Sequence, residues 1–168
     1  MLLMHLIDAT GIAALSLNIS GLVRPGDGRL LRTSGWASAL WALNSLMLGA
    51  PTAAALNALS VGRQASAAAL LNRPGRLKAA AFAAFVAVTL ALATILWSGA
   101  LGLFAVAGSL LGTYAMFYLR GASLRWALAL VNALWLSNAL VYDAFWQVAA
   151  NLVCGIAAAI GAWKTRGH

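Results

Sequence analysis

Charged residues are scarce in this chain. Only 8% of its 168 residues are charged and its mean hydropathy is +0.89, which leaves too little polar surface to cover a water-soluble globule of this size. The composition therefore predicts an integral membrane protein. A spanning helix needs about 20 apolar residues, so seven such helices would occupy nearly all of residues 1–168 as a single membrane domain.

The groups that carry enzymatic chemistry are also few. The chain has one cysteine, Cys154, three carboxylates and two histidines, scattered along the sequence. A single cysteine excludes a disulfide framework and any zinc site built from cysteines. No nucleophile with its base and no cluster of metal ligands can be assembled from these residues. We therefore expect a protein that is not an enzyme, with no catalytic residue, no metal site and no cofactor.

Charge clusters, glycines and prolines divide the chain into seven apolar segments. The first segment has no Lys or Arg before its apolar run, so it lacks the basic start of a signal peptide and is predicted to be the first span. The predicted spans are 2–23, 30–49, 52–71, 79–97, 101–119, 123–142 and 145–163. The predicted fold is an all-α, polytopic membrane protein with seven transmembrane helices.

Basic residues occur in every second predicted loop. Ten of the 11 Lys and Arg residues lie in or beside these loops or after the last span, namely Arg24, Arg29, Arg32, Arg73, Arg76, Lys78, Arg120, Arg125, Lys164 and Arg166. Because cytoplasmic loops of membrane proteins carry an excess of Lys and Arg, this alternation predicts an external N-terminus and a cytoplasmic C-terminus. Topology then explains the net charge of +8, so we expect the lipid bilayer, and not nucleic acid, as the partner.

One motif, W-x-x-N-x12-N, occurs twice. Trp41, Asn44 and Asn57 are matched by Trp135, Asn138 and Asn151, each 94 residues later. The helices that carry the two copies are four spans apart, so they cross the membrane in the same direction. The sequence thus predicts two parallel three-helix repeats, 1–71 and 101–163, joined by a linker helix at 79–97.

Polar residues form stripes on the spans that carry this motif. On span three, for example, Asn57, Ser60, Arg63 and Gln64 share one helical arc. Unsatisfied amides in hydrocarbon cost several kcal/mol, so such stripes should face protein or a water-filled cavity. Amide and indole groups suit a neutral, hydroxyl-rich solute. We therefore predict that a small polar solute binds in the outer half of the membrane to Trp41, Asn44, Asn57, Trp135, Asn138 and Asn151.

The same residues also have a structural interpretation, in which the amides join helices by hydrogen bonds. Arg63 is the one basic residue deep inside a predicted span. It acts as an inner gate or attracts an anion, or else it is a structural charge that extends toward the cytoplasm or bonds backbone carbonyls. Two functions stay open: a transporter or facilitator that works by alternating access of two helix bundles, and a non-transporting scaffold or sensor subunit. Homo-oligomer formation also stays open.

The order of the spans and the paired Trp and Asn residues resemble the SWEET sugar transporters. That resemblance implies two triple-helix bundles joined by one helix, and it assigns substrate contacts to Trp41, Asn57, Trp135 and Asn151. More of the chain resembles the YgjV-type bacterial inner-membrane proteins, as in segments 29–58 (RLLRTSGWASALWALNSLMLGAPTAAALNA) and 108–117 (GSLLGTYAMF). This second resemblance implies a multi-pass protein of the bacterial inner membrane.

The prolines depart from the SWEET and PQ-loop pattern. Those families have intramembrane prolines, often as Pro-Gln, at which helices hinge. Here Pro25, Pro51 and Pro74 lie in or beside predicted loops, and the sequence contains no Pro-Gln. We therefore expect any rocking of the helices to depend on their Gly and Ala residues.

Overall fold

Seven α-helices make up the described part of the chain. A computed structural model describes residues 2–49, 51–73, 75–95, 103–141 and 145–166, and no strand occurs in these ranges. The helices are α1 (Leu2–Val23), α2 (Asp27–Met47), α3 (Pro51–Ala69), α4 (Gly75–Ile95), α5 (Leu103–Tyr118), α6 (Gly121–Val141) and α7 (Phe145–Thr165). The predicted all-helical fold with seven helices is confirmed.

The helix ends differ slightly from the predicted spans. α1 has the predicted bounds, whereas α2 begins three residues earlier than predicted, at Asp27. A carboxylate in the first turn is stabilised by the positive end of the helix dipole, so Asp27 suits a helix start. α3 begins at Pro51, where the missing N–H of proline is least costly. The predicted ends at residues 97, 101 and 142 lie outside the described residues.

Three helical segments are long and apolar enough to cross a membrane by length and composition: Leu2–Val23, Gly75–Ile95 and Val148–Thr165. α5 is also apolar but has 16 residues. α4 is the helix least covered by the rest of the protein, and Thr89 is its one buried residue. An apolar helix with so little protein cover suits a linker that faces lipid.

The helices pack as two units of three. α2 lies against α1 and α3 in the first unit, and α6 lies against α5 and α7 in the second unit. Between the units, α1 contacts α7 and α5 contacts α3. If the units are exchanged, α1 takes the place of α5 and α7 that of α3, so one contact becomes the other. The bounds of α2 and α6 are separated by the same 94 residues as the motif. Parallel repeats related by an axis along the bundle produce this pattern.

Basic residues collect at one end of the bundle, which we call the basic end. It comprises the C-terminal ends of α1, α3, α5 and α7 and the N-terminal ends of α2, α4 and α6. The most deeply buried large apolar side chains also lie there, and Leu30, Leu31, Phe117 and Leu124 are at most 1% exposed. The bundle is therefore packed most tightly at its basic end.

Candidate functional site

A cavity of about 160 Å³ lies between the two units. Residues of α1, α2, α3, α5, α6 and α7 line it, and no described residue of α4 does. A cavity of this size has room for several water molecules. The side chains in its lining that carry a polar group or a thiol are Asn18, Ser34, Arg63, Gln64, Asn132 and Cys154.

Arg63 joins the two units beside this cavity. Its Nη1 donates to the backbone oxygen of Ser109 at 3.2 Å and to Oγ1 of Thr113 at 3.1 Å, both on α5. Its Nη2 donates to Oγ of Ser60, one turn away on α3, at 3.2 Å. Its Nε is buried without a hydrogen-bond partner among the described residues. Arg63 thus bonds a backbone carbonyl, as its structural interpretation expects, and its Nε donor is unused.

Gln64 is the second cavity residue with an unused polar atom. Its side chain is 6% exposed, and its Oε1 is buried without a hydrogen-bond partner in the described structure. A buried polar atom left in this state costs about 1 to 3 kcal/mol. The sequence placed Gln64 on the polar arc of span three but not among the predicted binding residues. Its position next to Arg63 was the feature that could have identified it.

The motif residues of the first unit make contacts inside that unit. Nδ2 of Asn44 donates to the backbone oxygen of Ile7 at 2.7 Å and to Oγ1 of Thr10 at 3.0 Å, which ties α2 to α1. Nδ2 of Asn57 donates to Oγ of Ser45 at 3.4 Å, a long bond between α3 and α2. A Cβ built on Gly11 of α1 would lie 3.9 Å from the Trp41 ring.

The second copy of the motif lies in the second unit. Trp135 packs against α5, where a Cβ built on Gly108 would lie 3.1 Å from its Nε1. Asn151 also has an interaction partner, and the side chain of Asn138 lies outside the described residues. Of the predicted site residues whose side chains the structure describes, Arg63 is the one that lines the cavity.

The cavity lies closer to the basic end than the predicted site does. Gln64 follows Asn57 by seven residues on α3, a helical rise of about 10 Å. On α6, the cavity residue Asn132 lies almost one turn nearer the basic end than Trp135. The structure therefore brings polar groups of both units together at a position nearer the basic end than the Trp and Asn motif.

An ion pair joins the two units at the basic end. Nη1 of Arg125 lies 3.0 Å from Oδ1 of Asp27, and the Arg125 side chain is fully buried. Arg125 also donates from Nε to the backbone oxygen of Leu22 at 3.2 Å and from Nη2 to that of Arg24 at 2.8 Å. By sequence, Arg125 belongs to the basic residues that follow span five and lies two residues inside the predicted start of span six at 123. It lies in the second turn of α6, where its side chain bonds the C-terminal end of α1 and the first residue of α2.

Gly121 completes this network. Its backbone N–H donates to Oδ2 of Asp27 at 2.9 Å, and its φ of 57° lies in the left-handed region that glycine adopts most readily. Nearby, α1 and α7 approach so closely that a Cβ on Gly161 would overlap the carbonyl oxygen of Leu22. These contacts join the two units at the basic end.

A metal centre finds no support in the described ranges, where no three His, Cys, Asp or Glu side chains lie close enough to hold an ion. Comparison with known proteins identifies the family to which the chain belongs. The family model Imp-YgjV, described as bacterial inner membrane protein, matches residues 5–167. The chain belongs to this family.

Membership in Imp-YgjV agrees with the three helical segments that are apolar enough to span a membrane. The resemblance to YgjV-type inner-membrane proteins is thereby confirmed. No curated protein and no solved structure matches the chain. The arrangement typical of SWEET transporters therefore stays a prediction.

Proposed function

We propose that this Imp-YgjV protein is a transporter or facilitator of a small polar solute. The observation that supports this proposal most strongly is the central cavity, in which Arg63 Nε and Gln64 Oε1 have no hydrogen-bond partner among the described residues. Buried polar atoms in native proteins are nearly always paired. A solute or water bound in the cavity supplies the missing partners, so the cavity is the binding site in this proposal.

The proposed topology has all seven helices crossing the inner membrane. The N-terminus is outside and the basic end is in the cytoplasm. The support for this orientation is the location of ten of the 11 Lys and Arg residues at one end of the bundle, because positive residues are enriched on the cytoplasmic side. The cavity then lies on the cytoplasmic side of the Trp and Asn motif.

The proposed mechanism is alternating access of the two units around the cavity. The units meet through α1 with α7 and α3 with α5, and such paired interfaces allow one unit to rock against the other. In this mechanism the bonds of Arg125 to Asp27, Leu22 and Arg24 join the units on the cytoplasmic side. Opening on that side requires these bonds to separate, whereas the Arg63 bonds to α5 lie next to the solute. The mechanism includes no enzymatic step.

The alternative function, a scaffold or sensor subunit that does not transport, is favoured by a different observation. Asn44 uses its amide group to join α2 to α1 through Ile7 and Thr10. A polar residue used in this way holds helices together. This observation explains one part of the motif and leaves the unpaired atoms of the cavity unexplained.

Uptake into proteoliposomes tests the proposal. The full-length protein is reconstituted, and the entry of radiolabelled glycerol, ribose, glycine and L-lactate is measured down their gradients. We expect at least one solute to enter faster than into protein-free liposomes, and Gln64→Leu to slow that entry at least tenfold. Thr94→Ala is the matched control, because Thr94 is exposed on α4 and bonds only the backbone of Ala91. If no solute enters faster than in protein-free liposomes, the proposal is wrong.

A further inference from the structure

The cavity contains a positive charge with no carboxylate beside it. Arg63 lines the cavity, and none of the described residues that line it is acidic. The nearest acidic group along the basic end is Asp27, which is already paired with Arg125. The two arginines that join the units therefore differ: Arg125 has a counter-ion within the protein, and Arg63 has none among the described residues.

The partners of Arg63 are all neutral. They are a backbone oxygen and two hydroxyl groups, on Ser109, Thr113 and Ser60. A charge inside a membrane protein is costly unless an opposite charge is close to it. Because Nε still lacks an acceptor, an anion in the cavity would satisfy both the donor and the charge. A carboxylate forms a strong, charge-assisted hydrogen bond with a guanidinium group.

Gln64 specifies a second feature of the ligand. Its unpaired Oε1 is an acceptor, so it requires a hydroxyl or amino donor. Gln64 directly follows Arg63 on α3, and both side chains line the same cavity. The volume of about 160 Å³ is sufficient for a ligand of a few carbon atoms.

From these three observations we infer that the cavity binds a small carboxylate that also carries a hydroxyl or amino group, such as a short hydroxy acid. The carboxylate accepts from Nε of Arg63, and the hydroxyl or amino group donates to Oε1 of Gln64. This inference rests on the proposed function and specifies its substrate class. It replaces the hydroxyl-rich, neutral solute that the Trp and Asn motif predicts with a solute that carries a carboxylate.

The first test compares three probes on the detergent-purified protein. L-lactate carries both groups, lactamide lacks the charge, and propionate lacks the hydroxyl. Apparent dissociation constants are obtained from the rise of Tm with probe concentration at constant ionic strength. A hydrogen bond to a charged group contributes about 1.5 to 3 kcal/mol, so we expect L-lactate to bind about ten- to hundredfold more tightly than lactamide. We also expect L-lactate to bind more tightly than propionate.

Two variants assign each preference to one residue. Arg63→Gln should abolish the preference for L-lactate over lactamide, and Gln64→Leu should abolish the preference for L-lactate over propionate. Each variant should keep the other preference, and Thr94→Ala should keep both. If Arg63→Gln does not fold, the three probes on the natural protein and on Gln64→Leu still decide the inference.

Equal binding of lactamide and L-lactate overturns the anionic assignment, as does the absence of binding by all three probes. Tighter binding of inorganic phosphate than of L-lactate also overturns it, in favour of another class of anion. The uptake of glycerol and ribose, which carry no carboxylate, is measured separately. If a neutral solute enters through the protein while L-lactate does not bind, the transporter proposal stands and the carboxylate inference is wrong.

Discussion

Replacing Arg125 by methionine removes the link between the units at the basic end. Methionine keeps most of the volume of the side chain but donates no hydrogen bond. The change deletes the pair with Asp27 and the bonds to the backbone oxygens of Leu22, Arg24 and Gly121. It leaves the carboxylate of Asp27 with the backbone N–H of Gly121 as its remaining partner in the described structure.

The expected loss of stability follows from the burial of this pair. Removing one member of a buried ion pair costs about 3 to 5 kcal/mol, because the other charge stays buried. Arg125 is fully buried, but the side chain of Asp27 is 15% exposed and keeps some contact with solvent. We therefore expect a loss of about 3 kcal/mol for Arg125→Met, at the lower end of that range.

Equilibrium unfolding in mixed micelles with increasing SDS measures this loss. Arg76→Met is the matched control, because Arg76 is exposed at the start of α4, and surface substitutions change stability by about 0.5 kcal/mol or less. The variant that combines Asp27→Asn with Arg125→Met should lose less than the sum of its two single variants, because no charge is left unpaired. A loss below about 1 kcal/mol for Arg125→Met, or an additive double variant, refutes the reasoning.

Two further substitutions test the packing within and between the units by the same unfolding assay. Gly161→Ala should destabilise the protein by about 1 to 3 kcal/mol, because the added Cβ overlaps the carbonyl oxygen of Leu22. Gly155→Ala, whose Cβ would lie 3.5 Å from its nearest neighbour, should destabilise it less. Equal losses of stability in the two variants would contradict this account. Asn44→Ala should cost about 1 to 2 kcal/mol and more than Asn57→Ala, because Asn44 makes two bonds of 3.0 Å or less and Asn57 makes one of 3.4 Å. The reverse order would contradict it.

The helices could be predicted from the sequence because lipid imposes simple rules on them. Runs of about 20 apolar residues separated by basic loops indicate spans, and these rules placed all seven helices. The spacing of 94 residues between motifs also recurs in the bounds of α2 and α6. These rules do not include the local stabilisation of helix starts. Asp27 stabilises the first turn of α2, so this helix begins three residues before its predicted start.

The position of the cavity could not be predicted because polarity alone does not identify a partner. The pattern placed Asn44 on a polar stripe, but not opposite the backbone oxygen of Ile7, which accepts its hydrogen bond. Likewise, the pattern placed Arg125 near the start of predicted span six, but not beside Leu22 of α1 and Asp27 of α2, with which it bonds. A sequence specifies which face of a helix is polar, whereas the depth of a cavity depends on which helices meet there.

Cys154 offers the most direct test of the claim that the cavity is a path for solutes. It is the only cysteine of the chain and lines the cavity on α7, so no background thiol interferes. The small, anionic, membrane-impermeant reagent 2-sulfonatoethyl methanethiosulfonate is added to vesicles of each orientation, and the modified fraction is followed by mass spectrometry. The control is Ile156→Cys in a Cys154→Ser background, because Ile156 is exposed on the outside of the bundle and faces lipid in the proposed topology.

Alternating access predicts that Cys154 is modified from both sides of the membrane, whereas the thiol at position 156 stays unmodified. A Cys154 thiol that stays unmodified in the folded protein from either side, and reacts only after unfolding, would contradict the account, because water and solutes would then never reach the cavity.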